Sequence, residues 1–378
     1  MNNYDFVIVG GGIAGASAGY ELAAHARVLV IERESQPGYH STGRSAALYL
    51  QTHGPAVIQA LARAAKPFFL NYPEGFSEYP LLTPRGALII GGAGQSAALE
   101  RSSKHWSRRV GGVRLMDSGE ARAIVPVLRD EYVAGAVLDA EAMDIDVNAV
   151  HWGFLRGLRG RGGALVTGAE LLGLERKNGT WNARTAAGDF AAPAVIDAAG
   201  AWCDKVAALA GVRPVGLVPK RRTAFIFDPP GEFDISGWPA VIDFAETFYF
   251  KPDAGKLLGS PADQTPMEPC DVQPDDLDVA IAVDRIQGAA HLPVQHIRRK
   301  WAGLRSFVAD GCPVVGYDPE VAGFFWLAGQ GGYGIETSPS MGRLCASLAL
   351  GRGVPSDLAD QGVTEAELAP ARLGPRSR

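Results

Sequence analysis

The chain has 378 residues, 47% hydrophobic and 20% charged, with a formal net charge of −5. Its length calls for two domains sharing an interface rather than one simple core, and its composition is that of a soluble globular protein. It offers no basic run with interleaved aromatics for nucleic acid, and no uninterrupted apolar stretch of the ~18 residues that a membrane span needs. Cys203, Cys270, Cys312 and Cys345 are scattered without a Cys-x-x-Cys pair, which fits reduced thiols in the cytoplasm. The seven histidines lack ligand spacing, so no metal is expected. Met1 to Asp5 has no positive n-region and leads into a first strand rather than a signal peptide.

Phe6 to Val9 is an apolar run that breaks into Gly10, Gly12 and Gly15, then resumes at helical spacing through Ala18 and Leu22. This predicts strand, tight turn and helix, with Ile13 and Ala14 at a helix start that can face an anion. A second strand, Arg27 to Ile31, ends on Glu32, about 20 residues past the first glycine, where a carboxylate can bond ribose hydroxyls. A glycine- and hydroxyl-rich loop from Arg33 to Ala47 follows. Helices are predicted over Gln59–Tyr72 and Val147–Arg161, and a capped short helix follows Asp117 and ends at Pro126. Strands at Ala164–Thr167 and Leu171–Glu175 lead into a meander around Gly188-Asp189. Ala194 to Asp197 ends on Gly200 before a helix at Cys203–Leu209, and Phe324 to Ala328 ends on Gly329 to Gly334 before a helix at Ile335–Leu350. Three strand-glycine-helix units predict a doubly wound parallel α/β sheet whose glycine ends gather at one edge. From Pro214 the composition shifts to strand-like segments, among them Phe248–Lys251 and Lys256–Gly259 joined by a Pro252–Gly255 turn, with a helix at Asp275–Gln287. The expected division is a discontinuous nucleotide-binding domain of residues 1–80, 145–214 and 303–370. An inserted α+β domain of 81–144 and 215–302, on a mainly antiparallel sheet, would bind substrate, and 371–378 would form a flexible tail.

Four stretches carry a resemblance: Gly38–Ala47, Pro219–Arg222, Trp301–Gly311 and Gln330–Ile335. With the glycine turns, they resemble the D-amino acid oxidase superfamily of FAD-dependent oxidoreductases, and within it the catabolic D-arginine dehydrogenases. The resemblance implies non-covalent FAD contacted by Gly10, Gly12, Ile13, Ala14, Gly15, Glu32, Arg33, Ser41, Thr42, Gly43, Arg44, Ser45, Ala46, Ala47, Leu48, Leu171, Gly200, Gly331, Gly332, Tyr333, Gly334, Ile335 and Glu336. It implies hydride transfer from the α-carbon of an amino acid to the flavin, with the imino acid then hydrolysed. Arg222 and Arg305 would grip the substrate carboxylate, since guanidinium is planar and permanently charged. Tyr249 would assist, the Gly332 carbonyl would accept from the amine, and His53 completes the expected catalytic set. A helix starting near Gly334 would direct its positive end at the flavin. A quinone or dye is the expected electron acceptor, and the enzyme would lie in the cytoplasm or at the inner face of the membrane.

The departures from the arginine enzymes concern specificity. Where those would have glutamate at 87, histidine at 48 and tyrosine at 53, this chain has Ala87, Leu48 and His53; Glu336 replaces a glutamine. Loss of the carboxylate at 87, with Leu48 beside Leu50, points to apolar or aromatic D-amino acids, unless neighbours such as Glu78 or Arg85 compensate. Glu336 either restores a charge to the pocket or serves as a helix cap. Alternatives are an oxygen-using oxidase of D-amino acids, glycine or N-methyl amino acids, a 2-hydroxy acid dehydrogenase, which should need a base, and a FAD-bound protein without amino acid turnover.

Overall fold

A computed structural model describes residues 4–231 and 233–374. Its first sheet has the order Val314–Tyr317, Phe324–Ala328, Ala194–Asp197, Phe6–Val9, Val28–Ile31, Ala164–Val166. All neighbours are parallel except the Val314–Tyr317 edge. The four central strands are buried residue by residue, which is why they read as unbroken apolar runs. One face packs against the helices Ile13–Leu22, Ala56–Leu70, Val147–Gly160 and Ser338–Ala349. The other packs against the Cys203–Leu209 helix and the meander of Leu171–Lys177, Thr180–Thr185 and Gly188–Ala192. Because Val9, Asp197 and Trp326 lie in register on adjacent parallel strands, the three glycine-bearing strand ends meet at one edge.

The second sheet has eight strands, in the order Ile297–Phe307, Val218–Phe227, Lys256–Ser260, Tyr249–Asp253, Ala240–Asp243, Ala87–Gly91, Gly135–Asp139, Val113–Asp117. It is antiparallel apart from the Ala87–Ala240 pairing. Alternation sorts its side chains. Leu88, Val241, Phe225, Phe227 and Phe250 form a core with the Asp276–Ala289 helix, while Ala87, Tyr249, Arg222 and Arg305 occupy the face turned to the first sheet. This is the architecture of a Rossmann-like doubly wound domain with an inserted α+β domain.

Several boundaries move. The Ile297–Phe307 strand lies wholly in the eight-stranded sheet, so a division at 302/303 would cut it. The last helix begins at Ser338 rather than near Gly334, because Gly331 to Thr337 is folded into tight turns. At the C-terminus, Pro370–Leu373 forms a 3-10 turn that Arg372 anchors to Asp310 and to the Cys312 carbonyl. A flexible tail from 371 is therefore corrected as far as residue 374, and 375–378 lie outside the described residues. The predicted cap is present, with Asp117 accepting from the Glu120 amide and Glu120 from that of Asp117.

Candidate active site

A cavity of about 370 Å³ runs from the glycine edge of the first sheet to the inner face of the second. At its base Gly10 has φ 109°, and the Gly11 and Glu34 amides both donate to Glu32, at 2.7 and 2.8 Å. Each Glu32 oxygen keeps a lone pair for a further donor. Ile13 donates its helix-terminal amide to Thr42 Oγ1 at 3.0 Å, so that amide is already capped. His151, buried by the Val147–Gly160 helix, bonds the Gly11 carbonyl through Nε2 at 2.8 Å. Burial keeps its ring below the ordinary histidine range.

The loop after Glu32 joins the two sheets. Ser41 donates to the Leu304 carbonyl, Arg44 donates to the Val272 and Ala302 carbonyls and pairs with Asp271, and Trp301 Nε1 donates to the Arg44 carbonyl. Arg44 thus lines the cavity as a strut between sheets rather than as a free cation.

Of the expected cofactor set, Gly10, Gly12, Ile13, Ala14, Glu32, Arg33, Ser41, Thr42, Arg44, Ser45, Ala46, Leu171, Gly200, Gly331, Gly332, Gly334 and Ile335 line the cavity. Gly15, Gly43, Ala47, Leu48, Tyr333 and Glu336 do not. Gly15 faces the Gly10 carbonyl instead, and Gly43 donates to the Gly38 carbonyl. Sequence reasoning passed over Trp202 and Lys205, which also line the wall. Trp202 packs at a tilt against His40 and under the Arg33 guanidinium, and its place directly after Gly200-Ala201 was the available signal.

At the far end Arg222, Tyr249, Arg305 and Gly332 converge on the cavity. Arg222 Nε donates to the Asp263 carbonyl at 3.0 Å, and among the described residues neither guanidinium forms an ion pair. Burial, and then the charge of Arg305, push Arg222 down to about 10, which leaves Arg222 cationic at neutral pH. Two such cations at one end of the cavity, with Glu246 and Asp263 close enough to act on Arg222 but in no ion pair with it, form a site for a small anion. The Arg305 guanidinium lies against Gly332, where an added Cβ would sit 2.8 Å from Nη1.

The remaining expected residues form the surroundings. His53 does not line the cavity; its ring is 5.4 Å from that of Tyr333 and its Nδ1 3.8 Å from Glu246. Burial lowers its pKa; Glu246 opposes this, and Arg305 and Arg222 reinforce it. Glu246, on the turn before Phe248 with φ 54°, is an acid near the site that no motif marked. Ala87 and Leu50 meet in a small apolar cluster with Ile242 and Phe244. Leu48 pairs with Asp144, whose carboxylate binds both Lys251 at 2.6 Å and Arg85 at 2.7 Å. Arg85 is thereby engaged and supplies no free charge to the pocket.

Glu336 is buried and turned away from the cavity, its Oε2 accepting from the Leu50 amide at 2.9 Å. Burial pushes its carboxyl up to about 8, against the Leu50 hydrogen bond and the Arg305 charge. Between the unfolded value near 4.5 and about 8, the unfolded chain has lost a proton that the folded protein keeps, so this residue lowers stability as pH rises. Glu336→Gln keeps the acceptor and is expected to match wild type near pH 4. Above pH 8 it should gain up to about 5 kcal/mol, read as a Tm difference that widens with pH.

Three glycine-bearing parallel strand ends gathered over a cavity, with Glu32 at the end of the neighbouring Val28–Ile31 strand, facing an antiparallel sheet with paired arginines, define a two-domain flavoprotein oxidoreductase. Residues 5–348 match the family model described as "FAD dependent oxidoreductase", DAO, and the chain belongs to that family. Its cofactor is FAD, and the donors and acceptors along the cavity suit that dinucleotide. Glycine oxidase of Geobacillus kaustophilus (strain HTA426) is 27% identical over 379 residues, spanning 96% of this chain and 97% of that enzyme. The crystal structure of glycine oxidase from Geobacillus kaustophilus aligns with a TM-score of 0.81 at 23% identity, over 93% of this chain and 96% of that one. L-Proline dehydrogenase from P. horikoshii aligns at 0.81 and 22% identity, over 98% of both chains. These solved structures share the fold. Among the described residues no helix is long and apolar enough to cross a membrane, and no group of three or more His, Cys, Asp and Glu residues could hold a metal.

Proposed function

We propose that the enzyme oxidises the Cα–N bond of D-amino acids with uncharged side chains. The observation that carries this is the pair of partly buried guanidiniums of Arg222 and Arg305, without an acid partner, converging beside Gly332. When bound along this cavity, FAD would supply the two-electron acceptor that the oxidation requires. The protein holds the substrate: Arg222 and Arg305 grip the carboxylate in forked geometry, the Tyr249 hydroxyl adds a donor, and the Gly332 carbonyl accepts from the amine. Fixing both ends of so short a molecule orients its α-hydrogen. Glu32, the Thr42 hydroxyl and the glycine turn at 10–12 hold the adenosine and pyrophosphate end. Release of the imino acid to water gives the 2-oxo acid and ammonia.

The D configuration rests on the resemblance of the Gly38–Ala47, Pro219–Arg222, Trp301–Gly311 and Gln330–Ile335 stretches to D-arginine dehydrogenases. The uncharged preference rests on Ala87, where the resembling arginine enzymes would have a glutamate; Ala87 packs with Leu50, Ile242 and Phe244 outside the cavity lining and supplies no carboxylate to it. A quinone or dye is the proposed acceptor. A second reading, oxygen-linked oxidation of glycine or N-methyl amino acids, is favoured by two observations. The cavity wall stops short of Leu48, Leu50 and Ala87, and a glycine oxidase is among the full-length relatives.

With D-Met, D-Leu and D-Phe against D-Arg and D-Lys, we expect the neutral side chains to give the higher kcat/KM with a dye acceptor. A clear advantage for D-Arg and D-Lys refutes the uncharged preference, and dominant hydrogen peroxide formation from glycine or sarcosine supports the second reading. A cationic ammonium does not readily release hydride, so kcat/KM should rise with pH to a plateau. A flat profile from pH 6 to 10 contradicts this use of the amine.

A further inference from the structure

We infer that Asp263 is a positioning residue for the carboxylate-binding guanidinium of Arg222; the inference rests on the proposed role of Arg222. The strand Val218–Phe227 is paired along one edge by Ile297–Phe307 for its whole length. On its other edge Lys256–Ser260 pairs only with Phe225, Ile226 and Phe227. From Thr223 back toward Pro219 that edge would expose its amides, and the chain after Ser260 turns back to cover it. Arg221 donates its amide to the Thr265 carbonyl at 2.8 Å, and Met267 donates to the Pro219 carbonyl at 2.9 Å. At Thr223 no backbone carbonyl serves. There the Asp263 side chain takes over, accepting from the Thr223 amide through Oδ1 at 2.6 Å and from Thr223 Oγ1 through Oδ2 at 3.0 Å.

This arrangement sets the direction of the Asp263 main chain. Ala262 has φ 52°, a left-handed conformation that an alanine adopts only where its surroundings impose it. The imposing contacts are visible. Ser260 Oγ donates to the Thr223 carbonyl at 2.6 Å and accepts from the Ala262 amide at 3.1 Å. Asp263 Oδ2 also receives Arg221 Nε at 3.3 Å, and Arg221 reaches on to Asp278 at 2.6 Å on the Asp276–Ala289 helix. With its side chain held from these directions, Asp263 presents its carbonyl to Arg222 Nε at 3.0 Å. Binding through Nε fixes the plane of the guanidinium and leaves its two terminal nitrogens for an incoming carboxylate, the forked pairing that makes arginine selective for that group. Arg221 and Arg222 thus divide the work: the first neutralises and anchors Asp263, and the second is aimed by it.

The test uses purified holoenzyme and benzoate as a simple carboxylate, its Kd read from perturbation of the flavin spectrum, with KM and kcat measured in parallel. Asp263→Ala is expected to weaken benzoate by about tenfold or more and to raise KM more than it lowers kcat. Asp263→Asn, which keeps Oδ1 as an acceptor for Thr223, should restore most of the affinity. In an Arg222→Met background the Asp263→Ala effect should disappear, because nothing remains to be aimed. A role confined to stability would lower Tm and leave benzoate affinity of the folded holoenzyme unchanged, and that result overturns the inference. Should Asp263→Ala yield no holoenzyme, Ala262→Val keeps the carboxylate but disfavours the left-handed turn and carries the same expectation and the same refutation. Unchanged benzoate affinity in Arg222→Met alone instead defeats the assignment of Arg222 itself.

Discussion

Gly15→Ala is expected to purify without bound FAD. A Cβ at position 15 would lie 1.9 Å from the Gly10 carbonyl oxygen and 3.3 Å from Ile8 Cγ2, and neither neighbour can yield. Gly10 is fixed at φ 109° over the Ala198 carbonyl, where its own Cβ would come within 2.5 Å, and Ile8 is fully buried in the parallel sheet. The helix must therefore move off the strand, which pulls Ile13 from Thr42 and opens the turn that Glu32 holds through the Gly11 amide. The ratio of absorbance near 450 nm to that at 280 nm reads the outcome directly. Tm should also fall and respond less to added FAD than in wild type, since a ligand stabilises only what it binds. Full flavin content in this variant would show that close helix approach is not what forms the nucleotide end of the cavity.

Arg305→Met should retain FAD and lose kcat/KM by about a hundredfold or more, the scale of losing a charge-assisted, forked hydrogen bond in a water-poor site. The same variant should weaken benzoate, which has no reacting carbon, so lost anchoring can be separated from lost chemistry. Gly332→Ala is expected to act in the same direction without touching any charge. Its Cβ would come within 2.8 Å of Arg305 Nη1 and 2.9 Å of Cζ, so the guanidinium has to shift from where it faces Arg222. If Arg305→Met leaves benzoate binding intact while Arg222→Met abolishes it, the second guanidinium is not an anchor.

What could be read from the residues alone follows a physical rule. Strands buried on both faces leave apolar runs, and tight turns leave glycines, so Phe6–Val9, Ala194–Asp197 and Phe324–Ala328 were visible with their ends. Local hydrogen bonding was equally legible, as in the Asp117–Glu120 cap and the turn at Pro252–Gly255, where Ala254 and Gly255 both take positive φ. The late start of the last helix had a signal that apolar spacing obscured. Pro339 lacks an amide hydrogen and belongs in a first turn, which places the start at Ser338. Interactions that join distant parts of the chain left no local trace. His151 meets Gly11 across 140 positions, and Arg44 and Trp301 meet across 257. Asp263 and Glu246 looked like ordinary polar loop residues, because their importance lies in where the eight-stranded sheet sets them. Leu48, Ala87 and Glu336 could be singled out by comparison with a resembling family, but sequence could not show that Glu336 turns to the Leu50 amide or that Asp144 occupies Arg85.

The central claim is that paired guanidiniums hold an amino acid carboxylate beside bound FAD so that its α-carbon is oxidised. Anaerobic mixing of the holoenzyme with D- and L-amino acids, glycine, sarcosine and 2-hydroxy acids tests it without assuming an electron acceptor. The account predicts bleaching of the flavin near 450 nm by D-amino acids with uncharged side chains, much slower in Arg222→Met and Arg305→Met at equal flavin content. Failure of every amino acid to bleach the wild-type flavin, or bleaching by 2-hydroxy acids alone, would contradict it.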